Sequence, residues 1–424
     1  MAGRLSQPVA GRRPRQQEIR GVPRQHCALT SKVPYAFTSV RGERASMLPV
    51  EIRRVHSARN RLEFVKMAWQ FYRTDSHWVP PLIGDQLAFL NPARGAFYEH
   101  GDAELFLAYR GEHPVGRISA HVNHRYDECF DDAKGFVGFF ECEDSAETAA
   151  ALFTSAANWL RARGRRLMEG PMSFGVYDEI GILVQGFDTD PYVLTSHNPP
   201  YYQRLFEEAG WVKSIDWFAF RGKAEVFRKD LDPRYFEISG RVLSRNGITV
   251  RPADVRHHLE REAGIVQEIF AAAWSRNWGH VPLSGREFAR LKEGVKQFVV
   301  PELSFFVEFE GKPIAFALSL YDANQAVKKV NGRLFPFGFI TLLAGMKRTR
   351  RFRLVLMGVL EEYRRQGIEV ALYAHVIQEG LRNGFQEVEM SLIVESNDPM
   401  IRSIQRLPAE RYRTWRIYRR DLVE

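Results

Sequence analysis

A repeat with a period near 200 residues constrains this 424-residue chain more than any other feature. Val50-Glu-Ile-Arg-Arg-Val55 alternates like a strand and runs into an amphipathic stretch from Ala58 to Tyr72. Ile248-Thr-Val-Arg-Pro-Ala-Asp-Val255 runs likewise into a helical stretch from Arg261 to Ser275. Two hairpin patterns follow, Glu104 to Val115 and Ser304 to Ile314, with Gly111 and Gly311 at the turns. Gly138-Phe-Phe-Glu141 and Ala149-Ala-Ala-Leu152 then align without gaps to Gly358-Val-Leu-Glu361 and Glu369-Val-Ala-Leu372. The helices after them stop at Gly164 and Gly384, suited to the left-handed residue that closes a helix. Both copies end in a strand and Asn-x-Pro, at Asn198 and Asn397.

Each copy reads β–α–(α)–β–β–β–α–β–α–β, which mixes an antiparallel meander with a parallel crossover. The expectation is an α/β fold of two tandem units, each a mixed central sheet flanked by helices. The copies occupy residues 47–222 and 247–424. Residues 223–246, charged and containing Asp232-Pro233, read as a connector with a short helix. The stretch from Gly170 to His197, rich in Gly, Asp and aromatics, lengthens the first copy.

The net charge of +9 invites a nucleic-acid reading until it is located. Residues 1–46 hold eight Arg and one Lys against two Glu, so +7 lies there and the body is nearly neutral. No nucleic-acid partner is therefore expected of the body, which lacks the basic face such binding needs. The tail has no apolar period and should be disordered. It reads either as an Arg-rich transit segment or as sequence upstream of a working start at Met47. Three cysteines cannot form a disulfide framework and suit a cytoplasmic protein. No run of about 18 apolar residues suggests a transmembrane segment.

The chemistry concentrates in Glu361-Glu-Tyr-Arg-Arg-Gln-Gly-Ile-Glu369, between a predicted strand (353–360) and helix (370–381). Backbone N–H groups at a helix start, aided by the helix dipole, make an anion site, and a glycine lets the phosphates approach. Here the chain resembles the GNAT acyltransferase superfamily, whose Arg/Gln-x-x-Gly-x-Gly/Ala signature stands as Arg364-Arg-Gln-Gly-Ile-Glu369. The resemblance implies two GNAT-like domains and acetyl-CoA or another acyl-CoA as co-substrate, with no metal. Arg364, Arg365, Gln366, Gly367 and Ile368 would hold the pyrophosphate. Val359 and Leu360, at the end of the preceding strand, would pair with the pantetheine amides, and Asn397 completes the cofactor-binding set. Glu369 departs from the signature, placing a carboxylate where Gly or Ala is usual.

The aligned loop of the first copy reads Glu141-Cys-Glu-Asp-Ser-Ala-Glu-Thr-Ala149. It has four carboxylates and no glycine, so this copy should not take coenzyme A in the same way. Its His197-Asn-Pro-Pro-Tyr-Tyr202 run resembles the superfamily's Asn followed by an aromatic helix start, where a Tyr often protonates the leaving thiolate. Tyr202 is thus a catalytic candidate, with Glu361 or Glu362 as the base for the incoming amine. Glu179, Asn198, Tyr201, Asn277 and Trp278 are candidate substrate-binding residues. Trp274-Ser-Arg-Asn-Trp-Gly-His280 reads either as a pocket wall or as a packed corner. His121-x-x-His124 with Cys129 reads as strand-edge sequence rather than a metal site. The basic run Lys347 to Arg353 reads as a solvated loop or as a contact for an anion, an acidic lipid surface among them.

Two functions follow. The first is acyl-CoA-dependent N-acyl transfer, of an acetyl or longer group, to a small-molecule or lipid amine. The second is a non-catalytic acyl-CoA or small-ligand binding protein on a degenerate fold.

Overall fold

The computed structural model describes residues 48–245, 247–334 and 336–422, so the expected basic tail over residues 1–46 lies outside the described residues. The alternating apolar segments form β1 (Val50–Arg54), β2 (Gly101–Arg110), β3 (His113–Asn123), β4 (Lys134–Cys142), β5 (Leu167–Gly170), β6 (Ile182–Gln185) and β7 (Val212–Lys223) in the first half. The second half contributes β8 (Ile248–Pro252), β9 (Phe305–Phe309), β10 (Lys312–Tyr321), β11 (Arg351–Val359), β12 (Glu387–Val394) and β13 (Ala409–Asp421). The matched hairpins are β2–β3 and β9–β10, with Gly111 and Gly311 at φ +60° and +80°.

All these strands belong to one sheet in the order β1-β2-β3-β4-β5-β13-β7-β12-β11-β10-β9-β8, with β6 on β13. The two halves have exchanged their last strands. β13 pairs antiparallel with β5, while β7 pairs antiparallel with β12, and the two exchanged strands pair with each other from Ala409↔Gly222 to Arg419↔Val212. The cores follow the same exchange. Tyr418 and Leu422 are buried with the first half's Leu152, Phe153 and Phe206, whereas Phe218 and Phe220 are buried with the second half's Leu372 and Val376. The two expected central sheets are therefore continuous, because the strand that completes each half comes from the other.

The stretch over 170–197 packs on the exchanged strand. A Cβ at Gly186 would meet the Tyr412 carbonyl at 2.4 Å, and Arg413, fully buried, donates from Nε to Thr189 Oγ1 at 3.0 Å. The connector holds two helices, Ala224–Asp230 and Arg234–Leu243. Tyr235 and Val242 of the second are buried in the core beside the Ile368–Arg382 helix, so this segment is built into the second half.

Successive residues of a strand face opposite sides of the sheet. Phe305, Val307, Ala315 and Ala317 face the core under the Ile368–Arg382 helix, while Phe306 and Phe316 face the Leu259–Trp274 helix. The second side carries the candidate site.

Candidate active site between the two halves

β11 and β12 run parallel from Arg351↔Glu387 to Leu354↔Met390, and no pairing follows. On its other edge β12 pairs with β7 from Glu387↔Lys223 to Val394↔Trp217, and beyond Met390 that is the pairing it keeps. The parallel strands thus part where β11 continues to Val359, the feature that can admit an extended chain to a strand edge.

Directly after this gap comes the loop singled out by its glycine. Glu361–Tyr363 forms a short 3-10 turn, Arg365 stands at φ +60°, and Gly367 at φ +87° starts the Ile368–Arg382 helix. Among the described residues, no side chain caps this helix. Its first N–H groups and dipole are therefore available to an anion, and Arg365 and Gln366 are exposed beside them. Ile368 is buried and anchors the helix start. Glu369 lies in the first turn and is half-buried. The chemistry of this helix start suits an anion such as a pyrophosphate, while Arg364 is already engaged. Arg364 donates from Nε to the Val359 carbonyl at 3.1 Å and from Nη2 to the Ala273 carbonyl at 2.7 Å, so it ties β11 to the Leu259–Trp274 helix. The Leu360 N–H is likewise engaged, by the Ile314 carbonyl at 3.0 Å.

The same places in the first half are closed. β4 and β5 part after Phe136↔Glu169, but the Met172 N–H returns to the Val137 carbonyl at 2.8 Å. Ser145 caps the Ala146–Arg161 helix by accepting from Thr148 N–H, and Arg110 pairs with Glu143 and Glu147 at 2.9 and 2.7 Å. The loop's carboxylates are thus neutralised internally.

The Asn-Pro-Pro-Tyr-Tyr corner seals this half further. Tyr202, fully buried, donates to Glu141 Oε2 at 2.7 Å and accepts the Cys142 N–H at 2.9 Å. Tyr201 donates to the Cys142 carbonyl at 2.7 Å. Asn198 accepts the Leu183 N–H at 2.6 Å and donates to the Pro199 carbonyl at 2.9 Å. Asn397 accepts the Met400 N–H at the start of the Asp398–Ile404 helix. Glu361 is exposed and pairs with Arg276 at 2.9 Å; Glu362 is exposed as well. His121 is buried among aromatic rings while His124 pairs with Asp102 at the surface, so the two do not converge.

Two adjoining cavities lie where the halves meet. An apolar cleft, enclosing about 1270 Å³ including its open mouth, runs between the Leu259–Trp274 and Gly285–Val295 helices and the sheet. Val266, Phe270, Phe306, Leu318, Val355 and Leu356 line it. Beyond it, a second pocket, termed polar for the side chains it gathers, holds His100, Glu169, Asp178, Glu287 and Arg290 within a mainly apolar wall that includes Phe136, Met172, Phe174 and Trp278. Tyr177 and Asp178 form part of the walls of both.

The groups on that wall are electrostatically set apart. Burial pushes the Asp178 carboxyl up to about 6, although Arg290 lies 2.6 Å away and draws it down. The Tyr177 hydroxyl is hydrogen bonded to His280 Nδ1. Burial raises the Tyr177 phenol and lowers the His280 imidazole, so at neutral pH both are uncharged. His100 and Glu287 form an ion pair at 2.9 Å; against burial, it raises the imidazole and lowers the carboxyl. The wall stands beside the strand gap. Phe270 packs on Tyr177 and Trp274 at centroid distances of 5.5 and 4.7 Å, and Trp274 Nε1 donates to the Met357 carbonyl at 3.4 Å.

Of the sequence candidates, Trp278 lines the polar pocket, and the Asn277 carbonyl accepts the His280 N–H at 3.1 Å. Glu179 follows the wall residues but lines neither cavity. Tyr177 and Asp178 stand in Tyr177-Asp-Glu179, a run of site-type residues, and His280 in the run that reads as pocket wall or packed corner, but sequence reasoning assigns none of the three a role of its own. Their signal was present in the Tyr-Asp-Glu and Trp-Gly-His runs, but only the fold brings these runs together.

Comparison with known proteins agrees with this fold. The acetyltransferase (GNAT) family profile matches residues 265–407. Protein YghO of Escherichia coli is 32% identical over 370 residues, covering 85% of this chain and 92% of that protein. A protein of Caulobacter vibrioides named bacterial ceramide synthase is 30% identical over 369 residues, covering 85% and 94%. Among solved structures, a tandem GNAT protein from the clavulanic acid biosynthesis pathway matches with a TM-score of 0.50 at 12% identity, over 88% of this chain and 99% of that one, a likeness of fold. The chain belongs to the GNAT family of acyl-CoA-dependent N-acyltransferases, in tandem form.

Proposed function

We propose that this enzyme transfers a long acyl chain from acyl-CoA to the amine of an amphiphilic acceptor, with one working site in the second half. The observation that carries this reading is the apolar cleft ending at a wall of ionisable groups beside the parted strands. Such a cleft buries chain methylenes at about 0.8 kcal/mol each, which an acetyl group would not use. The name of the Caulobacter relative, a ceramide synthase, points to the same reaction class.

In this reading the phosphates rest on the uncapped helix start at Gly367 with Arg365 and Gln366, while Arg364 positions the strand end. Val359 and Leu360 border the pantetheine, and Asn397 shapes the following helix. The acceptor's ammonium enters from the polar pocket and gives a proton to Asp178. The free amine attacks the thioester carbon, the C–S bond breaks, and the thiolate takes a proton from the Tyr177 hydroxyl. The phenolate so formed recovers a proton from the nitrogen, which gives up its second proton as it becomes the amide. With His280 in the Nδ1–H tautomer, that hydroxyl is free to point into the cavity. Tyr201, Tyr202 and Asn198 then support the first half rather than touching substrate. Glu361 and Glu362 are kept as an alternative base.

The test is thiol release and product mass with a series of acyl-CoAs and amines. Long-chain acyl-CoA with a long-chain amino alcohol should react at least tenfold faster than acetyl-CoA. Val266→Trp, which fills the cleft, should reverse that preference. Faster turnover of acetyl-CoA by the unmodified enzyme would end the long-chain reading, and binding without turnover would favour a non-catalytic protein.

A further inference from the structure

Among the described residues, large apolar side chains stand together in solvent at one place. Phe337 is 72% exposed and starts the Gly338–Arg348 helix, on which Phe339, Ile340 and Leu343 are 46%, 53% and 50% exposed. The other exposed large hydrophobics, Leu48, Leu194, Val212 and Ile238, occur singly along the chain. Phe339, Ile340 and Leu343 fall on one stripe of the helix.

The flank of the helix next to this stripe is already packed. Leu342 and Met346 are buried with Ala323 and Ala326. A Cβ at Gly345 would stand 2.3 Å from the Ala326 side chain, so this glycine lets the helix sit hard against the Asn324–Val330 helix. The exposed stripe therefore extends the helix's apolar surface beyond the part that its core contacts cover.

Its charge surroundings are one-sided. Residues 324–350 hold six Lys or Arg and no Asp or Glu. Lys329, Arg333, Arg348 and Arg350 are exposed before and after the apolar stripe. Exposed apolar side chains with exposed cations before and after them in the chain complement an anionic lipid surface, where the former enter the acyl boundary and the latter meet headgroup phosphates. No helix among the described residues is long and apolar enough to cross a membrane.

We propose that the segment from Phe337 to Arg350 is an interfacial anchor that seats the protein on an anionic lipid bilayer. The anchor adjoins the apolar cleft. Phe298 packs against its buried face and also against the cluster of Val299, Val295 and Val355, which line the cleft. A lipid leaving the bilayer would thus find the cleft one side-chain layer away. The anchor itself stands apart from the acyl-transfer reading and is tested without acyl-CoA.

The experiment is co-sedimentation of the full chain with phosphatidylcholine vesicles, with and without phosphatidylglycerol. The anionic vesicles should bind at least about tenfold more protein at low salt. The triple variant Phe339→Ser, Ile340→Ser, Leu343→Ser should lower that binding about tenfold or more with unchanged thermal melting. Because this variant keeps residues 1–46, any binding through their +7 charge remains in it and is separated from the anchor. Arg348→Glu with Arg350→Glu should remove the preference for anionic vesicles. Equal binding by unmodified and triple-variant protein, or no vesicle binding, would overturn the proposal. A concentration-dependent dimer lost in the triple variant, without vesicle binding, would instead assign the face to a second copy.

Discussion

Tyr177 and His280, 103 residues apart in the chain, are hydrogen bonded to each other between the apolar cleft and the polar pocket. One comes from the first half's loop after β5 and the other from the turn after the second half's first long helix, so neither half alone contains the pair. If Tyr177 protonates the leaving thiolate, Tyr177→Phe keeps the ring against Phe270 and removes only the donor. The expected result is a fall in kcat of about 100-fold with acyl-CoA affinity retained. Single-turnover kinetics with calorimetric binding separates the two effects. An unchanged kcat would remove Tyr177 from the reaction.

Asp178 gives the reaction a pH dependence of stated sign. A base with a pKa of about 6 accepts a proton only when ionised, so kcat/KM should rise with pH through about 6 and level above it. Arg290 holds this carboxyl below where burial alone would place it. Arg290→Gln should therefore move the limb to higher pH, and Asp178→Asn should abolish it. A pH–rate profile of the three proteins checks both shifts.

The asymmetry between the two loops has a stability side and a binding side. Ser145→Ala removes the cap of the first half's helix and should lower stability by about 1 kcal/mol while leaving acyl-CoA affinity unchanged. Gly367→Ala places a Cβ at φ +87° and 2.9 Å from Val242, at the uncapped helix start. It should weaken acyl-CoA binding about tenfold. Denaturation and binding isotherms on both variants measure the contrast.

How much of this was legible in sequence depended on whether the signal was local. Glycines at turns and at Gly367, the strand–loop–helix order and the internal repeat are local patterns, and each is found in the structure. The strand exchange was not legible, because β7 and β13 present the same alternation whichever half they complete. The tyrosines at 201 and 202 read as site-type residues. A hydroxyl that satisfies the backbone of Cys142 has the same sequence signature as one facing a substrate. The reverse holds for Tyr177 and His280, whose meaning lies in a contact between two runs that sequence spacing does not join.

The exchange makes a further prediction. Expression of residues 1–245 alone would leave β5 and β6 without β13 and β7 without either neighbour, exposing strand edges and the cores they cover. That fragment should be insoluble or aggregated, and residues 246–424 alone should behave likewise. Co-expression of the two should recover a soluble heterodimer, read by size-exclusion chromatography. Two separately folded, monomeric fragments would show that each half closes its own sheet in solution.

The last prediction concerns acid stability. His121 on β3 is fully buried in a ring of Phe97, Phe136 and Phe174, with centroids 5.6, 5.7 and 5.2 Å away. Its Nε2 has no hydrogen-bond partner among the described residues. Burial holds the imidazole down to about 3, so the folded protein keeps it neutral, whereas in the unfolded chain it titrates near 6.5. The unfolded state thus binds the extra proton first. The stability from this neutral imidazole is complete above about pH 6.5 and is lost as pH falls toward 3, at up to roughly 1.4 kcal/mol per pH unit. Between pH 7 and pH 5 the unmodified protein should lose about 2 kcal/mol more than His121→Leu, which has no proton to take up. Denaturant unfolding at the two pH values measures this difference of slopes, which is insensitive to whatever the substitution does to packing at neutral pH. Parallel slopes would mean that the site opens and admits the proton without unfolding.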